Sequence, residues 1–567
     1  MLENIDLNKL KQLNNKELDS LSEEIREYII NVVSKNGGHL ASNLGMVELT
    51  IALHKVFNAP FDKIIFDVSH QIYAHKILTG RIEQFTNLRK LNGLSGFSKY
   101  AESEYDAFEA GHSSTAISAG IGYLEVKKNN PNLIGEVISV VGDASIVNGL
   151  SFEGLNYLTM HPNMKMIIVL NDNEMGISKN EPTFNFSALF NALGFVYYGI
   201  IDGHDICELT RYLEMAKTIS NSVVIHVKTK KGKGYLPAEN DKEGIWHGVN
   251  GFDIETGEIV SNDNLTTYGK VISNYLIDFV SKSEIGNKIK VITPAMSLGS
   301  GLEEFSKKCS NNFIDVGLAE ENACLLAASI AHSGYIPIVF CYSTFLQRAY
   351  DQIVHDIART KEHVIICIDH AGIVSNDGDT HQGIFDLGYL YSIPNITILA
   401  PYDSFSAISM IDYAINNVSG PVAIRYSKEK IVDIKYNSNE IKKFEPKWDV
   451  YGNAEKTIIT YGVLFNEVKE FVDKNNVNVK LINALTISPL DSNVLDLISN
   501  DEIIVYEEVF ENGSLADRIL NYYNNKNKFV KIKKISLKDT FLETGTREEL
   551  LKKYKISIND LMKVIGD

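Results

Sequence analysis

Long apolar runs, paired cysteines and an excess of positive charge are all missing from this sequence of 567 residues. No stretch of eighteen apolar residues occurs, so we expect no transmembrane helix. The first residues, Met1–Asp6, lack the basic and apolar regions of a signal peptide. None of the five cysteines belongs to a CxxC pair, which favours buried thiols in a reducing, cytoplasmic compartment over disulfides or a zinc site.

Positive charge is scarce relative to negative charge. Carboxylates outnumber lysines and arginines by 72 to 55, which gives a net charge of −17. Such a surface repels polyanions, so we expect small-molecule partners and neither nucleic acid nor a membrane. An anionic substrate then needs a local cationic pocket. The chain is also too long for one hydrophobic core, and its length predicts three or four domains.

The first helix can be placed from its capping residues. Asn14 and Glu17 have the spacing of a capping box, and apolar residues then recur at helical spacing from Leu18 to Val32. The segment Asn36–Gly38 tolerates positive φ and is expected to end the helix. A loop that carries His39 follows directly.

Short β-branched runs then alternate with helical patterns in three series. Strands that are apolar throughout and separated by helices predict parallel sheets covered on both faces. Two polar stretches, Asp253–Thr267 and Lys428–Trp448, divide the series. We therefore predict an α/β protein of three doubly wound domains with mostly parallel sheets, spanning residues 1–265, 266–430 and 445–567.

Two polar loops, Gly142–Ser145 and Asn171–Asn173, directly follow two of these apolar strands. The carboxyl ends of strands are where open α/β sheets place their ligands. Asp143 and Asn173 offer hard oxygen ligands, and the carbonyl of Met175 could add another. Mg²⁺ prefers a few protein oxygens together with those of a bound diphosphate. The alternative is two ordinary turns, in which Asp and Asn are common.

A third polar loop, Gly111–Thr115, precedes a helix of small residues, Ala116–Tyr123. Free N–H groups at a helix start, together with hydroxyl groups, suit an anion. The alternative is simple capping of the helix by Ser113 or Ser114.

Glu320 stands at the start of the predicted helix Glu321–Ala331. It could simply complement the helix dipole. A buried carboxyl group at this place would also suit thiamine diphosphate, whose aminopyrimidine N1′ needs a carboxyl partner before the cofactor can react.

Several histidines and arginines occupy turns after predicted strands. Histidines in glycine-flanked turns favour polar substrate contact, and arginine suits bidentate capture of phosphate or carboxylate. A single such histidine is more often structural, and each arginine could instead form a surface ion pair. The candidates are His39, His70, His75, His381, Arg348 and Arg425, with Tyr342 beside them.

Taken together, these motifs resemble the 1-deoxy-D-xylulose-5-phosphate synthase family over nearly the whole chain. The segment Tyr342–Gln352 is the most specific match, and the third predicted domain is the weakest. The other matching segments are 37–42, 67–71, 75–81, 102–106, 111–115, 229–235, 377–383, Pro489–Asp491 and Gly545-Thr546.

The resemblance implies thiamine diphosphate and Mg²⁺ as cofactors, pyruvate and D-glyceraldehyde 3-phosphate as substrates, and a homodimer. The product would serve isoprenoid, thiamine and pyridoxal biosynthesis. The resemblance implies a metal site formed by Asp143, Asn173 and Met175. It implies cofactor contacts from His70, Gly111, His112, Ser113, Ala144, Ser145, Asn173, Tyr235 and Glu320. It also implies that the substrate-binding residues are Tyr342, Arg348, His370, Asp377 and Arg425, and that the catalytic residues are Glu320, His39 and His381.

Four positions depart from the family's pattern. Ala144 stands where glycine is usual, and Asn322 where histidine is frequent. His370 replaces an arginine that grips the acceptor phosphate, and histidine is only partly charged at neutral pH. A long helical insertion that shields the active site is missing between Ile177 and Gly194, so we expect different gating.

Three alternatives follow from these residues. The first is a transketolase-like or 2-oxo-acid-decarboxylating enzyme with another acceptor, suggested by His370. The second is a non-catalytic cofactor-binding protein, which the nearly complete set of polar site residues disfavours. The third is a nicotinamide-dependent dehydrogenase, which lacks support because Gly299–Gly301 has no third glycine of a GxGxxG motif.

Overall fold

The computed structural model describes residues 1–174, 184–259, 265–434, 442–498 and 502–566. The chain separates into two compact units, Met1–Ser261 and Asn262–Asp567. Met175 and the first part of the segment between Ile177 and Gly194, up to residue 183, lie outside the described residues. Within the described ranges, no helix combines the length and apolar character needed to cross a membrane.

The first unit alternates strands with helices. Its strands are β1 (Lys63–Phe66), β2 (Val137–Gly142), β3 (Ile167–Asp172), β4 (Val196–Asp202) and β5 (Val223–Lys228). Its helices are α1 (Leu7–Gln12), α2 (Asn15–Asn36), α3 (Leu40–Leu44), α4 (Val47–Val56), α5 (Tyr73–Lys76), α6 (Ile82–Phe85), α7 (Ala116–Asn129), α8 (Asp143–Ile146), α9 (Gly149–Met160), α10 (Phe186–Ala192), α11 (Ile206–Thr218) and α12 (Leu236–Glu239).

These strands form one parallel sheet in the order β1-β2-β3-β5-β4. Alternate residues along each strand enter two different apolar clusters. In β3, Ile167 and Val169 belong to one cluster, whereas Ile168 and Leu170 belong to the other. Both faces of the sheet are therefore buried, as the unbroken apolar strands predict.

The second unit is longer and contains the remaining elements. Its strands are β6 (Leu265–Thr266), β7 (Ile289–Thr293), β8 (Phe313–Asp315), β9 (Ile336–Tyr342), β10 (Ile365–Asp369), β11 (Thr397–Leu399), β12 (Val422–Arg425), β13 (Ile431–Val432), β14 (Asp449–Tyr451), β15 (Lys456–Thr460), β16 (Lys480–Asn483), β17 (Thr486–Ser488), β18 (Glu502–Phe510) and β19 (Ile532–Leu537). Its helices are α13 (Tyr268–Lys282), α14 (Glu303–Lys308), α15 (Glu320–His332), α16 (Ser343–Leu346), α17 (Tyr350–Gln352), α18 (Asp386–Tyr391), α19 (Ser404–Asn417), α20 (Val463–Asn475), α21 (Ser492–Leu497), α22 (Leu515–Asn525), α23 (Arg547–Lys553) and α24 (Ile558–Gly566).

Two larger sheets organise this unit. The first has the order β17-β11-β12-β10-β9-β7-β8 and the second the order β14-β16-β15-β18-β19. Each is parallel except for one edge strand, β17 or β14, which runs antiparallel. Side chains of both sheets, such as Ile366 and Ile459, share one apolar cluster. The α/β architecture with mostly parallel sheets is thus confirmed, and the division into three domains stays a prediction.

The first long helix follows its capping signals closely. Asn14 and Glu17 form both hydrogen bonds of the capping box, and Gly37 ends the helix at φ 71°. The apolar residues Leu18, Leu21 and Ile25 are fully buried. Both the beginning and the end of this helix were therefore predictable from local chemistry.

Candidate active site

Asp143 and Asn173 lie at the ends of neighbouring strands of the first unit. β2 and β3 pair in parallel, with Gly142 opposite Asn171, so the loops that follow them begin side by side. Asp143 is the first residue of α8, and Asn173 directly follows the last residue of β3. The loops lie where the strand pattern predicts, and their role as metal ligands stays a prediction.

Two carboxylates come together at this edge of the sheet. Burial raises the pKa of Asp143 to about 7, and the neighbouring Asp172 carboxylate raises it too. Asp172 is in turn held by His226, whose Nε2 lies 2.9 Å from its Oδ2. A cation at this place would offset the repulsion between the two acids. Among the described residues, no group of three or more His, Cys, Asp or Glu side chains could hold a metal ion.

The helix start that was expected to bind an anion already has one, the Asp67 carboxylate. Its Oδ1 accepts the N–H groups of Thr115 at 2.8 Å and Ala116 at 3.0 Å, and its Oδ2 accepts that of Ser114 at 2.8 Å. The expectation of free N–H groups here is therefore wrong for residues 114–116. The cofactor contacts of Gly111, His112 and Ser113 stay predictions.

Three imidazole rings cluster in the first unit. The ring centroids of His39 and His70 are 5.3 Å apart, and His247 lies 5.7 Å from His39 and 5.1 Å from His70. The Asn43 amide donates to the carbonyls of His39 at 2.6 Å and His70 at 2.8 Å, which fixes both turns. Sequence reasoning missed His247, although the glycine that follows it, Gly248, resembles the glycine-flanked turns of the other histidines.

Burial keeps the His70 and His247 rings neutral at physiological pH. It lowers the pKa of His70 to about 3, and Lys231 contributes to the same effect. It also places the pKa of His247 well below its ordinary value. Neutral imidazoles can each donate one proton and accept another, which suits contacts to a polar ligand.

Lys231 brings a positive charge to the edge of the sheet where the metal site is predicted. Burial lowers its pKa to about 8, against the attraction of Asp241 and Asp143. Lys231 and Asn173 line a cavity of about 650 Å³, together with Thr229 and Asp241. Sequence reasoning missed this residue because a Lys-Lys-Gly segment is typical of an exposed turn.

Two predicted residues of the first unit have internal partners. The hydroxyl of Tyr235 donates to the Ile254 carbonyl at 3.1 Å, so its predicted cofactor contact would involve its ring or backbone. His75 lies 3.0 Å from the Asp106 carboxylate and 2.8 Å from His54, all of them buried. The expectation of substrate contact at His75 is therefore wrong, because this histidine belongs to a buried polar network.

Glu320 is a buried carboxyl group at the start of α15 in the second unit. Only 3% of the residue is exposed, and its Oε2 has no hydrogen-bond partner among the described residues. Burial raises its pKa, whereas the Arg348 guanidinium, 3.8 Å away, lowers it. The sequence placed Glu320 before the helix, whereas it is the first helical residue.

Three predicted site residues, Tyr342, His370 and His381, belong to a row of four aromatic rings. His370 stacks on Tyr342 at 3.8 Å between centroids, Phe345 lies 5.8 Å from Tyr342, and His381 lies 5.3 Å from Phe345. His370 Nδ1 is also 2.9 Å from Asp369 Oδ1. The structure thus brings Tyr342, His370 and His381 into one row.

Gly299 makes room for this row of rings. A Cβ atom at Gly299 would lie 1.6 Å from the Tyr342 hydroxyl oxygen. The glycine is therefore required for close packing, a role other than the dinucleotide motif considered for Gly299–Gly301.

Two further predicted substrate residues are held in ion pairs. Asp377 pairs with Lys428, a cation that sequence reasoning missed. Arg425 is buried and donates from Nε to Asp386 Oδ2 at 2.8 Å. The alternative of a surface ion pair is therefore wrong for Arg425, because its pair is buried, and its contact with substrate stays a prediction.

Three models of protein families match successive parts of the chain. Residues 2–186 and 181–229 match the N-terminal model described as 1-deoxy-D-xylulose-5-phosphate synthase. Residues 277–432 match the transketolase pyrimidine binding domain, and residues 450–561 the transketolase C-terminal domain. Among solved structures, a transketolase from Campylobacter jejuni matches with 18% sequence identity and a TM-score of 0.42. The match covers 98% of this chain and 100% of the transketolase chain.

Curated relatives named 1-deoxy-D-xylulose-5-phosphate synthase match nearly end to end. The protein from Macrococcus caseolyticus is 39% identical over 96% of this chain and 94% of its own. The protein from Listeria monocytogenes is 40% identical over 98% and 95%, and that from Clostridium tetani 38% identical over 99% and 98%. The chain belongs to the 1-deoxy-D-xylulose-5-phosphate synthase family of transketolase-like transferases, which condense pyruvate with D-glyceraldehyde 3-phosphate and release CO₂.

Proposed function

We propose that this enzyme performs its condensation with thiamine diphosphate and Mg²⁺, and that Glu320 is the carboxyl group that engages the aminopyrimidine of the cofactor. The observation that supports this most directly is that the buried Glu320 Oε2 accepts no hydrogen bond from any described residue, with the Arg348 guanidinium 3.8 Å away. A buried oxygen without a hydrogen bond costs about 1–3 kcal/mol. A ligand nitrogen that hydrogen-bonds to it would remove that cost.

The residues present fit such a cofactor at two more places. His70 Nδ1 is also buried without a hydrogen-bond partner among the described residues, which leaves it available to a polar ligand. Burial and the neighbouring Asp172 carboxylate raise the pKa of Asp143, so a divalent cation would be favourable between these two acids. Asp143 and Asn173 would hold Mg²⁺, and the ion would share oxygens with the diphosphate.

When bound, thiamine diphosphate supplies the carbon nucleophile and the electron sink for loss of CO₂. The protein's own side chains hold protons at defined atoms and orient the substrate. Glu320 has a raised pKa, so it can hold a proton at Oε2 and share it with a ring nitrogen. His39 and His381 would exchange protons with substrate oxygens, and Tyr342 and Arg348 would orient the substrate.

A second candidate function uses a different acceptor. It is favoured by the contacts that already engage two predicted substrate-binding side chains, His370 and Arg425. His370 is within hydrogen-bonding distance of Asp369 at 2.9 Å and stacked on Tyr342. Arg425 is buried against Asp386. Groups engaged in this way bind a phosphate more weakly, which would favour an aldehyde without one.

An acceptor screen distinguishes these two candidates. The purified enzyme is mixed with cofactor, Mg²⁺, pyruvate and either D-glyceraldehyde 3-phosphate or D-glyceraldehyde, and the product is identified by mass. A kcat/KM at least about tenfold higher for the phosphorylated aldehyde supports the family's acceptor, since one phosphate contact is worth that much. The reverse order supports the second candidate.

The Glu320 assignment is tested with a matched pair of variants. Glu320→Gln should lower turnover by a factor of about 10²–10⁴, the usual range for a positioned proton-transfer group. Glu321→Gln, on the next and exposed residue, should leave turnover unchanged. Both variants should keep the thermal unfolding midpoint of the parent. Near-normal CO₂ release by Glu320→Gln would refute the assignment.

A homodimer and a cytoplasmic location complete the proposal. The first is implied by the family resemblance. The second is supported by the cysteines, which are all free, four of them buried.

A further inference from the structure

A second cavity lies in the second unit, and none of the residues assigned to the proposed active site lines it. Its volume is about 530 Å³, within the range of roughly 300–1,000 Å³ typical of small-molecule pockets. Helices α18 and α22 and the loops beside them form its walls. Its lining includes Tyr391, Leu490, Asp517, Arg518, Asn521 and Asn525.

Arg518 gives this cavity an uncompensated positive charge. Its guanidinium carbon lies 4.3 Å from the centroid of the Tyr391 ring. The guanidinium group makes neither a hydrogen bond nor an ion pair with any residue in the described part of the chain. The stacking holds the group in place while its N–H donors remain available.

The acidic groups nearby are already neutralised. Asp517, next to Arg518, accepts the Gly513 N–H at 2.8 Å and pairs with Lys534. Asp496, on the neighbouring α21, pairs with Lys526 at 2.7 Å. These two carboxylates are thus engaged with other cations and do not pair with Arg518.

Arg211 also stacks on a tyrosine ring, but it has an acidic partner. Its guanidinium lies 4.7 Å from the Tyr212 ring centroid. It pairs with Glu208 at 3.4 Å and lines neither of the two cavities described above. Arg211 therefore provides a matched control for Arg518.

We propose that this cavity binds a small organic anion, a phosphate ester or carboxylate of a few carbons, with Arg518 as its anchor. The guanidinium fork matches both kinds of oxyanion in a bidentate manner. The Asn521 and Asn525 side chains at the rim can hydrogen-bond hydroxyl groups, and Leu490 supplies an apolar wall. This proposal does not depend on the cofactor or on the acceptor.

The binding test uses 3-phosphoglycerate, a probe that carries both a phosphate and a carboxylate. Isothermal titration of the parent enzyme, with cofactor and Mg²⁺ present, should reveal a saturable site. In Arg518→Gln this site should bind about tenfold more weakly or disappear, because a charge-assisted bidentate contact is lost. Arg211→Gln should bind like the parent. Equal binding by Arg518→Gln and the parent would overturn the proposal.

Chemical modification of the parent protein tests the same proposal without any variant. Phenylglyoxal modifies free guanidinium groups, and peptide mass analysis gives the extent of reaction at each arginine. The probe should protect Arg518 while leaving Arg211 unchanged. If Arg518 reacts equally with and without the probe, the cavity does not bind this class of anion and the proposal is wrong.

Discussion

The Asp386 carboxylate receives two N–H groups of Arg425, from Nε at 2.8 Å and from Nη2 at 3.2 Å. Both residues are buried. The Arg425 guanidinium also lies 5.5 Å from the ring centroid of Tyr461, whose hydroxyl donates to Glu507 at 2.9 Å. Arg425 ends β12 and Tyr461 follows β15, so this buried network joins the two sheets of the second unit.

Removing Asp386 should therefore destabilise the second unit. Asp386→Ala leaves a buried guanidinium without its partner, which costs about 3–5 kcal/mol. The measurement is the urea midpoint of unfolding, compared between variant and parent. Asp473→Ala is the matched control, because Asp473 is exposed and its pair with Lys469 is worth about 0.2–1 kcal/mol.

A double variant distinguishes the buried charge from a packing defect. Arg425→Met combined with Asp386→Leu removes both charges and keeps most of the volume, so it should be more stable than Asp386→Ala alone. A double variant no more stable than the single one would contradict the assigned cause.

Local patterns predicted the elements and strand ends well. The apolar strands placed Asp143 and Asn173 at one edge of a sheet, since parallel strands end together. The same patterns could not predict Asp67 as the partner of residues 114–116. That contact joins segments 47 residues apart in the sequence, and many acids could have filled the same place. Long-range polar pairing depends on the tertiary fold and has no local signature.

The histidines illustrate the same limit. His70 and His75 lie in similar sequence surroundings, yet one joins the ring cluster and the other a buried network with Asp106. The difference is that His70 lies in the turn before α5, whereas His75 lies within α5. Glu320, in contrast, was predictable because the start of a helix can be read from a short segment.

Glu48 should make the first unit sensitive to acid. Burial raises its pKa, but His204, Arg26 and Lys233 outweigh that effect and hold the pKa at about 2, below the ordinary 4.5. Arg26 Nη2 lies 2.6 Å away, His204 Nδ1 3.1 Å and Lys233 Nζ 3.2 Å. The unfolded chain therefore binds a proton at Glu48 more readily than the folded one does.

The stability from Glu48 should be present above pH 4.5 and lost as pH falls towards about 2. The shift corresponds to about 3 kcal/mol. Urea midpoints of the parent and Glu48→Gln, measured from neutral pH down to about pH 3.5, should converge as the pH falls. Glu23→Gln is the control, since the exposed Glu23 pairs with the same arginine at 2.8 Å. A difference between parent and Glu48→Gln that is constant with pH would refute this account.

Asp143→Asn should weaken the response of the enzyme to Mg²⁺. The amide keeps the shape of the side chain but removes the charge that would bind the ion. We expect the Mg²⁺ concentration for half-maximal activity to rise by about 10–100-fold. Asp202→Asn, which changes an exposed acid at the cavity that Asn173 lines, should not alter it. A chelator should stop the parent enzyme, and added Mg²⁺ should restore it. Unchanged Mg²⁺ dependence in Asp143→Asn would remove Asp143 from the metal site.

Arg547 lies between two acids next to the loop that carries Asp377 and His381. Its Nη1 donates to Glu467 at 2.6 Å, and its Nη2 also pairs with Glu508. The Glu508 side chain packs against Gly372, where an added Cβ would lie 3.1 Å from its Oε2. Gly372 begins the loop and is hydrogen-bonded to Gly383 at its other end.

Arg547→Gln should therefore act through the position of this loop. Without the guanidinium, Glu467 and Glu508 repel each other, and Glu508 no longer supports Gly372. We expect kcat/KM to fall by about tenfold, in keeping with the sensitivity of catalysis to small displacements of substrate-binding groups. Arg547→Lys should retain most of the activity because it keeps the charge.

Lys552→Gln, which removes an exposed pair with Glu548 on the same helix, should have no effect on kcat/KM. A purely structural role would lower the unfolding midpoint and leave kcat/KM of the folded enzyme unchanged, and that result would contradict the positioning role.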